Sequence, residues 1–196
     1  MSHDASRVLV AALAAVGIAC STPTAPTLSP GNAPMPSLST FQVTSTAGRD
    51  GGVLPVEHTC DGAGVSPELS WSGAPAGTRE FAVLMTTLPG DGTTKWTWVL
   101  YGIPAATTGL SRASTGIGTQ GYGSDGPSPG YQPPCSQGPG AKVYTFTVAA
   151  LSAPPVLPTG RVTGLMLTDA IRPLTLASAS ISLHYTRPTA AIQEFR

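Results

Sequence analysis

Charged residues are scarce in this chain of 196 residues, and ten lysines and arginines balance ten aspartates and glutamates, so that the net charge at pH 7 is zero. A nucleic-acid-binding face or a polybasic membrane patch needs a local excess of positive charge, which this composition does not supply. The chain has only three cysteines and three histidines, without any Cys-x-x-Cys pair. We therefore predict no nucleic-acid partner, no metal site and no cofactor.

Long hydrophobic runs are also lacking, since the longest covers residues 8–19. A helix that spans a membrane needs about 20 apolar residues, whereas this length suits the core of an export signal. The run ends in Gly17-Ile18-Ala19-Cys20, which resembles a bacterial lipobox. We predict a signal peptide over 1–19 and lipidation of Cys20; the alternative is an ordinary cleaved signal in which Cys20 is incidental. Both alternatives predict a location in the bacterial cell envelope. The protein would be lipid-anchored to a membrane, periplasmic or secreted.

The segment after the signal is a predicted tether. Residues 20–40 are rich in Ser, Thr, Pro and Ala and show no apolar periodicity. Such a segment buries too little apolar surface to order itself, so we expect it to hold a folded domain away from a membrane. The folded domain is predicted over 41–187, followed by a C-terminal tail over 188–196.

Within the folded part, 20 prolines and 23 glycines in the whole chain favour turns and short strands over long helices. Alternating apolar residues predict strands around residues 41–43, 81–85, 96–100, 144–148 and 181–185. In two of these, 81–85 and 96–100, apolar residues occupy both faces. One helix is predicted over 163–171, with Thr163 or Thr168 as its cap and Pro173 at its end.

Several motifs occur in a fixed order along this predicted domain. They are Thr-Cys-Asp-Gly at 59–62, Ser-Pro-Glu-Leu-Ser-Trp-Ser-Gly at 66–73, Trp-Val-Leu-Tyr-Gly-Ile-Pro at 98–104, Gly-Tyr at 130–131 with Pro-Cys at 134–135, and Tyr-Thr-Phe-Thr-Val-Ala-Ala-Leu at 144–151. Together they resemble the phosphatidylethanolamine-binding protein family, also called Raf kinase inhibitor-like, in its bacterial YbhB/YbcL-like branch. The resemblance implies a mostly β fold of two packed antiparallel sheets with one or two short peripheral helices. It also implies one shallow anion-binding pocket, walled by the loop over 104–141. Kinase inhibition is not carried over.

The family's pocket residues have largely changed in this chain. Its Asp-Pro-Asp motif falls on Thr-Leu-Pro at 87–89, its two histidines fall on Thr97 and Lys142, its Gly-Pro turn falls on 133–134, and its tyrosine is Tyr144. The resemblance therefore implies a ligand site made by Lys142, Tyr144, Thr87, Thr97 and Pro134, in which a lysine and a tyrosine hold an anion by charge-assisted bonds. The alternative is a vestigial pocket with Lys142 solvated at a strand end.

Cys60 and Cys135 each lie in one of these motifs. In an exported protein, two cysteines outside the signal favour a disulfide. The alternative is a pair of buried free thiols.

Enzymatic groups are poorly represented, and we predict no catalytic residues. The chain has no Gly-x-Ser-x-Gly motif, and His58 is expected to be a surface histidine beside a structural cysteine. We expect an exported binding protein that holds a small anion or a phospholipid headgroup weakly. The alternative is a cell-envelope interaction module that has lost ligand binding and contacts an unknown protein through residues 104–141.

Overall fold

A computed structural model describes residues 40–135 and 140–188. The predicted signal peptide, the lipidation site Cys20, the tether up to residue 39 and the tail after residue 188 lie outside the described residues. None of the helices in the described part is long and apolar enough to cross a membrane.

Nine strands and one α-helix make up the described part of the fold. In chain order they are β1 (Gln42–Thr44), β2 (Gly52–Val53), β3 (Leu69–Ser72), β4 (Glu80–Thr87), β5 (Lys95–Pro104), β6 (Gly109–Leu110), β7 (Thr119–Gln120), β8 (Lys142–Leu151), α1 (Gly164–Ile171) and β9 (Thr175–Tyr185). Two short 3-10 turns occur at Val56–His58 and Arg172–Leu174.

The strands form two sheets, as predicted. The larger sheet has the order β2-β9-β8-β4-β5-β7, and the smaller one has the order β1-β3-β6. All pairings are antiparallel except β2 with β9, which is parallel and covers two residues. The mostly β fold with two packed, largely antiparallel sheets is thereby confirmed.

The main core lies between the two sheets. Phe81 and Met85 of β4 and Trp98 of β5 are almost fully buried there, and the small sheet contributes Leu69 and Trp71. Aromatic packing is dense, with the rings of Trp71 and Phe81 5.3 Å apart at their centroids. The alternation of apolar residues along each strand produces this shared layer, because successive side chains leave a strand on opposite faces.

A second core lies on the other face of β4 and β5. Ala82 and Val99 are buried there against Leu167 and Ile171 of α1. Both faces of these central strands are therefore buried, which confirms what their apolar composition indicated.

The helix begins and ends as predicted. Thr163 is its N-cap, and its hydroxyl accepts a hydrogen bond from the backbone N–H of Met166 at 3.4 Å. A 3-10 turn that contains Pro173 follows directly and leads into β9.

Candidate functional site

Three strand ends meet at one end of the large sheet. Thr87 is the last residue of β4, and it pairs with Lys95 at the start of β5 and with Tyr144 near the start of β8. In antiparallel pairing, the end of one strand always lies beside the beginning of the next. This topology collects Thr87, Thr97, Lys142 and Tyr144 from three separate stretches of sequence.

The segment after β7 forms a wall beside these strand ends. Its backbone follows the free edge of β5: the N–H of Ser124 donates to Trp96 O and the N–H of Gln132 donates to Thr97 O, each at 2.7 Å. The predicted irregular loop over 104–141 therefore runs along the sheet edge in its later half. Its earlier half contains β6 and β7, which the sequence pattern did not indicate.

A disulfide fastens the end of this wall. Cys60 and Cys135 are joined with a Cα–Cα distance of 5.3 Å, so the alternative of two free thiols is wrong. The N–H of Cys60 also donates to Pro134 O at 3.1 Å. A third link is the hydroxyl of Tyr131, which donates to His58 O at 2.7 Å.

The wall and the strand ends enclose a cleft of about 480 Å³. All five residues that the family resemblance indicated line it: Lys142, Tyr144, Thr87, Thr97 and Pro134. The structure therefore brings the predicted site residues together in one concavity. Pro89, Pro133 and Cys135, which lie in the family motifs, also line it. The lining residues that sequence reasoning did not indicate are Gly90, Lys95, Asp125 and Gln132.

An ion pair lies at the mouth of the cleft. The Nζ of Lys95 is 2.9 Å from Oδ1 and 3.0 Å from Oδ2 of Asp125. This carboxylate raises the pKa of Lys95, chiefly through the hydrogen bond and then through its charge. Asp125 was noted in the sequence only as part of an Asp-Gly turn signal, and nothing local indicated that Lys95, 30 residues earlier, would reach it.

Gln132 lines the same cleft, and its side-chain amide is buried. Its Nε2 is buried and has no hydrogen-bond partner in the part of the chain that the structure describes. Gly123 and Gly126 cover the amide so closely that a Cβ at either position would overlap it. An amide N–H without a partner is costly to bury, and the close cover by the two glycines keeps this one away from a ligand in the cleft.

Thr97 offers less to an anion than its position in the cleft indicates. The hydroxyl of Thr97 donates to Met85 O at 3.3 Å, and a hydroxyl has only one hydrogen to donate. Thr97 therefore keeps acceptor capacity alone while that bond is intact. Other lining side chains that carry polar hydrogens at the cleft include Lys142, Lys95 and Tyr144.

Tyr131 packs against the core and so helps to hold the wall in place. Its ring meets the ring of Trp98 edge-on, with centroids 5.5 Å apart. Burial, and to a lesser degree the neighbouring Tyr144, raises the pKa of Tyr131 far above its ordinary value. Tyr131 therefore stays neutral and acts as a hydrogen-bond donor to the loop that carries Cys60.

His58 is buried rather than on the surface, which corrects the sequence-based expectation. The residue is 3% exposed, its Nδ1 lies 2.9 Å from Val65 O, and its Nε2 lies 3.2 Å from Glu57 Oε1. These contacts occupy both ring nitrogens because the turn at Val56–His58 folds the ring inward. Among residues 40–135 and 140–188, no group of three or more His, Cys, Asp or Glu side chains could hold a metal ion.

Comparison with a family model, with related sequences and with solved structures gives the same family each time. Residues 44–186 match the family model "Phosphatidylethanolamine-binding protein". The chain is 32% identical over 139 residues to "Putative lipoprotein LppC" of Mycobacterium tuberculosis, covering 70% of this chain and 68% of that one. It is 30% identical over 161 residues to UPF0098 protein YbhB of Escherichia coli, covering 70% and 95%.

Among solved structures, E. coli YbcL, described as a member of the mammalian PEBP family, superposes with a TM-score of 0.69 at 29% identity. The superposition covers 76% of this chain and 99% of YbcL. The family model covers most of the chain and the relatives agree with it, so the chain belongs to the phosphatidylethanolamine-binding protein family.

Proposed function

We propose that this protein is an exported binding protein that holds a small anion or a phospholipid headgroup weakly in the cleft. The observation that carries the proposal is the convergence of Lys142, Lys95 and Tyr144 on one cavity of about 480 Å³. The family's carboxylates and histidines are replaced there, so recognition rests on lysine charge and neutral donors. The protein acts by binding, and no catalytic role is assigned.

The charges of the cleft favour a ligand that carries both signs. Its lining contains two lysines and one carboxylate, Asp125, which Lys95 holds in a bidentate contact. A phosphate group suits Lys142 and Lys95, while an attached ammonium group suits Asp125. Phosphoethanolamine has both groups, so we expect it to bind more tightly than inorganic phosphate.

Export to the cell envelope is part of the proposal. The apolar run over 8–19 and Cys20 support it, and a disulfide between Cys60 and Cys135 persists in an oxidising compartment. The relative from M. tuberculosis that is named a lipoprotein supports the same location. A lipid on Cys20 would then anchor the domain to a membrane, where phospholipid headgroups are available as ligands.

The test is thermal unfolding of the full chain with inorganic phosphate, phosphoethanolamine or sodium chloride at matched ionic strength. A ligand at about 100 times its Kd adds about 2.7 kcal/mol, which shifts the Tm of a domain of this size by roughly 5–10 °C. We expect this shift in the wild type and its loss in Lys142→Ala. Arg172→Ala is the matched control, because it removes an exposed positive charge outside the cleft.

A further variant separates headgroup from free phosphate. Asp125→Asn should abolish the preference for phosphoethanolamine while leaving the response to phosphate in place. If neither phosphate compound shifts the wild-type Tm beyond the chloride control, the cleft does not bind anions and the proposal is wrong. A partner protein that contacts residues 104–141 would then be the function to look for.

A further inference from the structure

A row of side chains crosses the outer face of the large sheet, at the end where the cleft lies. Val53 of β2 is in register with His184 of β9, and His184 is in register with Val143 of β8. Residues in register on neighbouring strands present their side chains to the same face. Leu88, the residue after β4, continues this line, since it borders one shallow hollow together with Val143. We call these four residues the outer row.

The three aliphatic members of the outer row are exposed. Val53 is 75% exposed, Leu88 65% and Val143 42%. Their chain neighbours Leu54 and Tyr144 are buried in the main core, so the exposure follows from the alternation of strand faces. The helix α1 packs on the outer face nearer the start of β4, and no member of the row belongs to that second core.

Hydroxyl groups follow the outer row on the same face. Thr145 comes two residues after Val143, about 7 Å along β8, and its Oγ1 lies 2.9 Å from the Oγ of Ser182. Thr86 borders the same hollow as Leu88. The face therefore changes from aliphatic at the end of the sheet to hydroxylated one step inward. This order matches a bilayer interface, where aliphatic groups enter the acyl boundary and neutral polar groups stay among the headgroups.

The outer row and the cleft share the segment that follows β4. Leu88 borders the hollow on the outer face, whereas Pro89 and Gly90 line the cleft. Thr87 borders both. A surface that meets this end of the sheet would therefore touch the outer row and the mouth of the cleft together.

The charges beside the outer row balance. Lys142 precedes the row on β8, Asp91 lies in the loop between β4 and β5, and Lys95 is paired with Asp125. Two lysines and two aspartates suit a surface of zwitterionic headgroups, since neither sign is in excess. Because balanced charge gives little long-range attraction, we expect binding to depend on the burial of aliphatic side chains and to change little with salt.

A membrane surface is the occupant that the size of the row fits. Four strand positions about 4.8 Å apart make a row about 14 Å long. A stable protein–protein interface buries about 1,200 Å² or more with matched shapes, whereas a bilayer takes up a few aliphatic side chains without a matching shape. A lipid on Cys20 would favour the same occupant, because roughly 20 residues up to the domain reach at most about 70 Å.

We propose that the outer row docks the protein on a zwitterionic phospholipid surface, with Leu88, Val143 and Val53 at the acyl boundary. The cleft then meets headgroups without drawing a lipid out of the bilayer. Docking rests on the proposed headgroup binding for its purpose, but it uses side chains that do not line the cleft.

The test is co-sedimentation with vesicles of phosphatidylethanolamine and phosphatidylcholine at low and high salt. The chain from residue 20 onward, with Cys20→Ser, keeps every described residue and omits the apolar run over 8–19, which could bind vesicles by itself; a Tm equal to that of the full chain checks its folding. We expect wild type to bind at both salt concentrations. Leu88→Asp and Val53→Asp should each raise the lipid concentration for half-binding roughly tenfold, because an aliphatic side chain is no longer buried.

Val156→Asp is the matched control, because Val156 is 95% exposed and follows the far end of β8. We expect it to bind vesicles like the wild type. A wild type that does not sediment with vesicles, binding that high salt abolishes, outer-row variants that bind like the wild type, or equal loss in Val156→Asp would each overturn the proposal.

Soluble phosphoethanolamine separates docking from binding in the cleft. Leu88→Asp and Val53→Asp should keep the thermal shift with this ligand, whereas Lys142→Ala should lose the shift and still bind vesicles. Vesicle binding by a wild type that shows no thermal shift would support docking and show that the cleft proposal alone is wrong.

Discussion

Glu80 is a titratable residue that is buried although burial disfavours its charged form. It begins β4, is 9% exposed, and its Oε1 has no hydrogen-bond partner in the described part of the chain. Burial raises the pKa of Glu80, and a hydrogen bond from the backbone of Gly102 offsets this only in part. Glu80 and Thr87 are at the two different ends of β4, so the carboxylate of Glu80 does not line the cleft.

We expect Glu80→Gln to stabilise the protein at neutral pH. Because the folded-state pKa is raised, ionised Glu80 lowers the free energy of unfolding above that pKa, and this penalty disappears as pH falls below the ordinary value near 4.5. The advantage of the glutamine variant should therefore be largest near pH 7 and shrink in acid. Urea unfolding of both proteins at neutral pH and at about pH 4 measures it. A difference that does not change with pH would contradict the prediction.

Some residues of the cleft could be identified from the sequence, and others could not. Lys142 and Tyr144 were indicated by their place in a family motif, and the structure puts both in the cleft. Asp125 and Gln132 were not indicated, because a turn signal and a polar residue in a loop are each common. Their roles depend on Lys95 and on Gly126, which approach them only in the folded chain.

At the scale of elements, the wall of the cleft is a loop held at its end by covalent and hydrogen bonds. The disulfide closes a loop with a sequence separation of 75 residues. Tyr131 and Pro134 add hydrogen bonds to the same neighbouring turn. The position of this wall relative to β5 and β8 therefore depends on a bond between distant motifs.

Replacing both cysteines, as Cys60→Ser with Cys135→Ser, should lower the free energy of unfolding by roughly 4 kcal/mol in the chain-entropy model. We also expect a smaller thermal shift with phosphoethanolamine, because the wall that holds Gln132 is less constrained. Urea unfolding under non-reducing and reducing conditions measures the first effect. Reductant should destabilise the wild type by a similar amount and leave the double variant unchanged; a wild type insensitive to reductant would contradict this.

At the scale of the whole molecule, a polar contact ties the loop of Cys60 to the end of the sheet. Asp61 accepts a hydrogen bond from the hydroxyl of Tyr185 at 2.6 Å and from Nε of Arg187 at 3.0 Å. The Tyr185 bond and then Arg187 lower the pKa of Asp61, against an opposing effect of desolvation. The contact joins distant parts of the chain, since Tyr185 and Asp61 are 124 residues apart in the sequence.

This contact predicts a loss of stability in acid. A lowered folded-state pKa means that Asp61 contributes stability above its ordinary value near 3.8, and that this contribution is lost as pH falls through the lower folded value. Asp61→Asn should therefore unfold more easily than wild type at neutral pH, with a difference that narrows at about pH 3 and below. Denaturant unfolding across this range tests it, and a constant difference would show that Asp61 acts through packing alone.

Local pattern was enough to predict much of the fold. Alternation of apolar residues located β4, β5, β8 and β9, because strand faces follow directly from a period of two. Thr163 and Pro173 marked the two ends of α1, since capping and the missing proline N–H act over a few residues. The ordered motifs then indicated the family and the place of the cleft.

What the sequence alone determined is therefore which segments become strands, which faces they bury and which family motif each carries. Three features depend on folding instead: Lys95 pairs with Asp125, Cys60 is bridged to Cys135, and His58 is buried. Periodicity and capping act between near neighbours along the chain, whereas an ion pair, a disulfide or the burial of a side chain depends on distances between segments that only folding brings together.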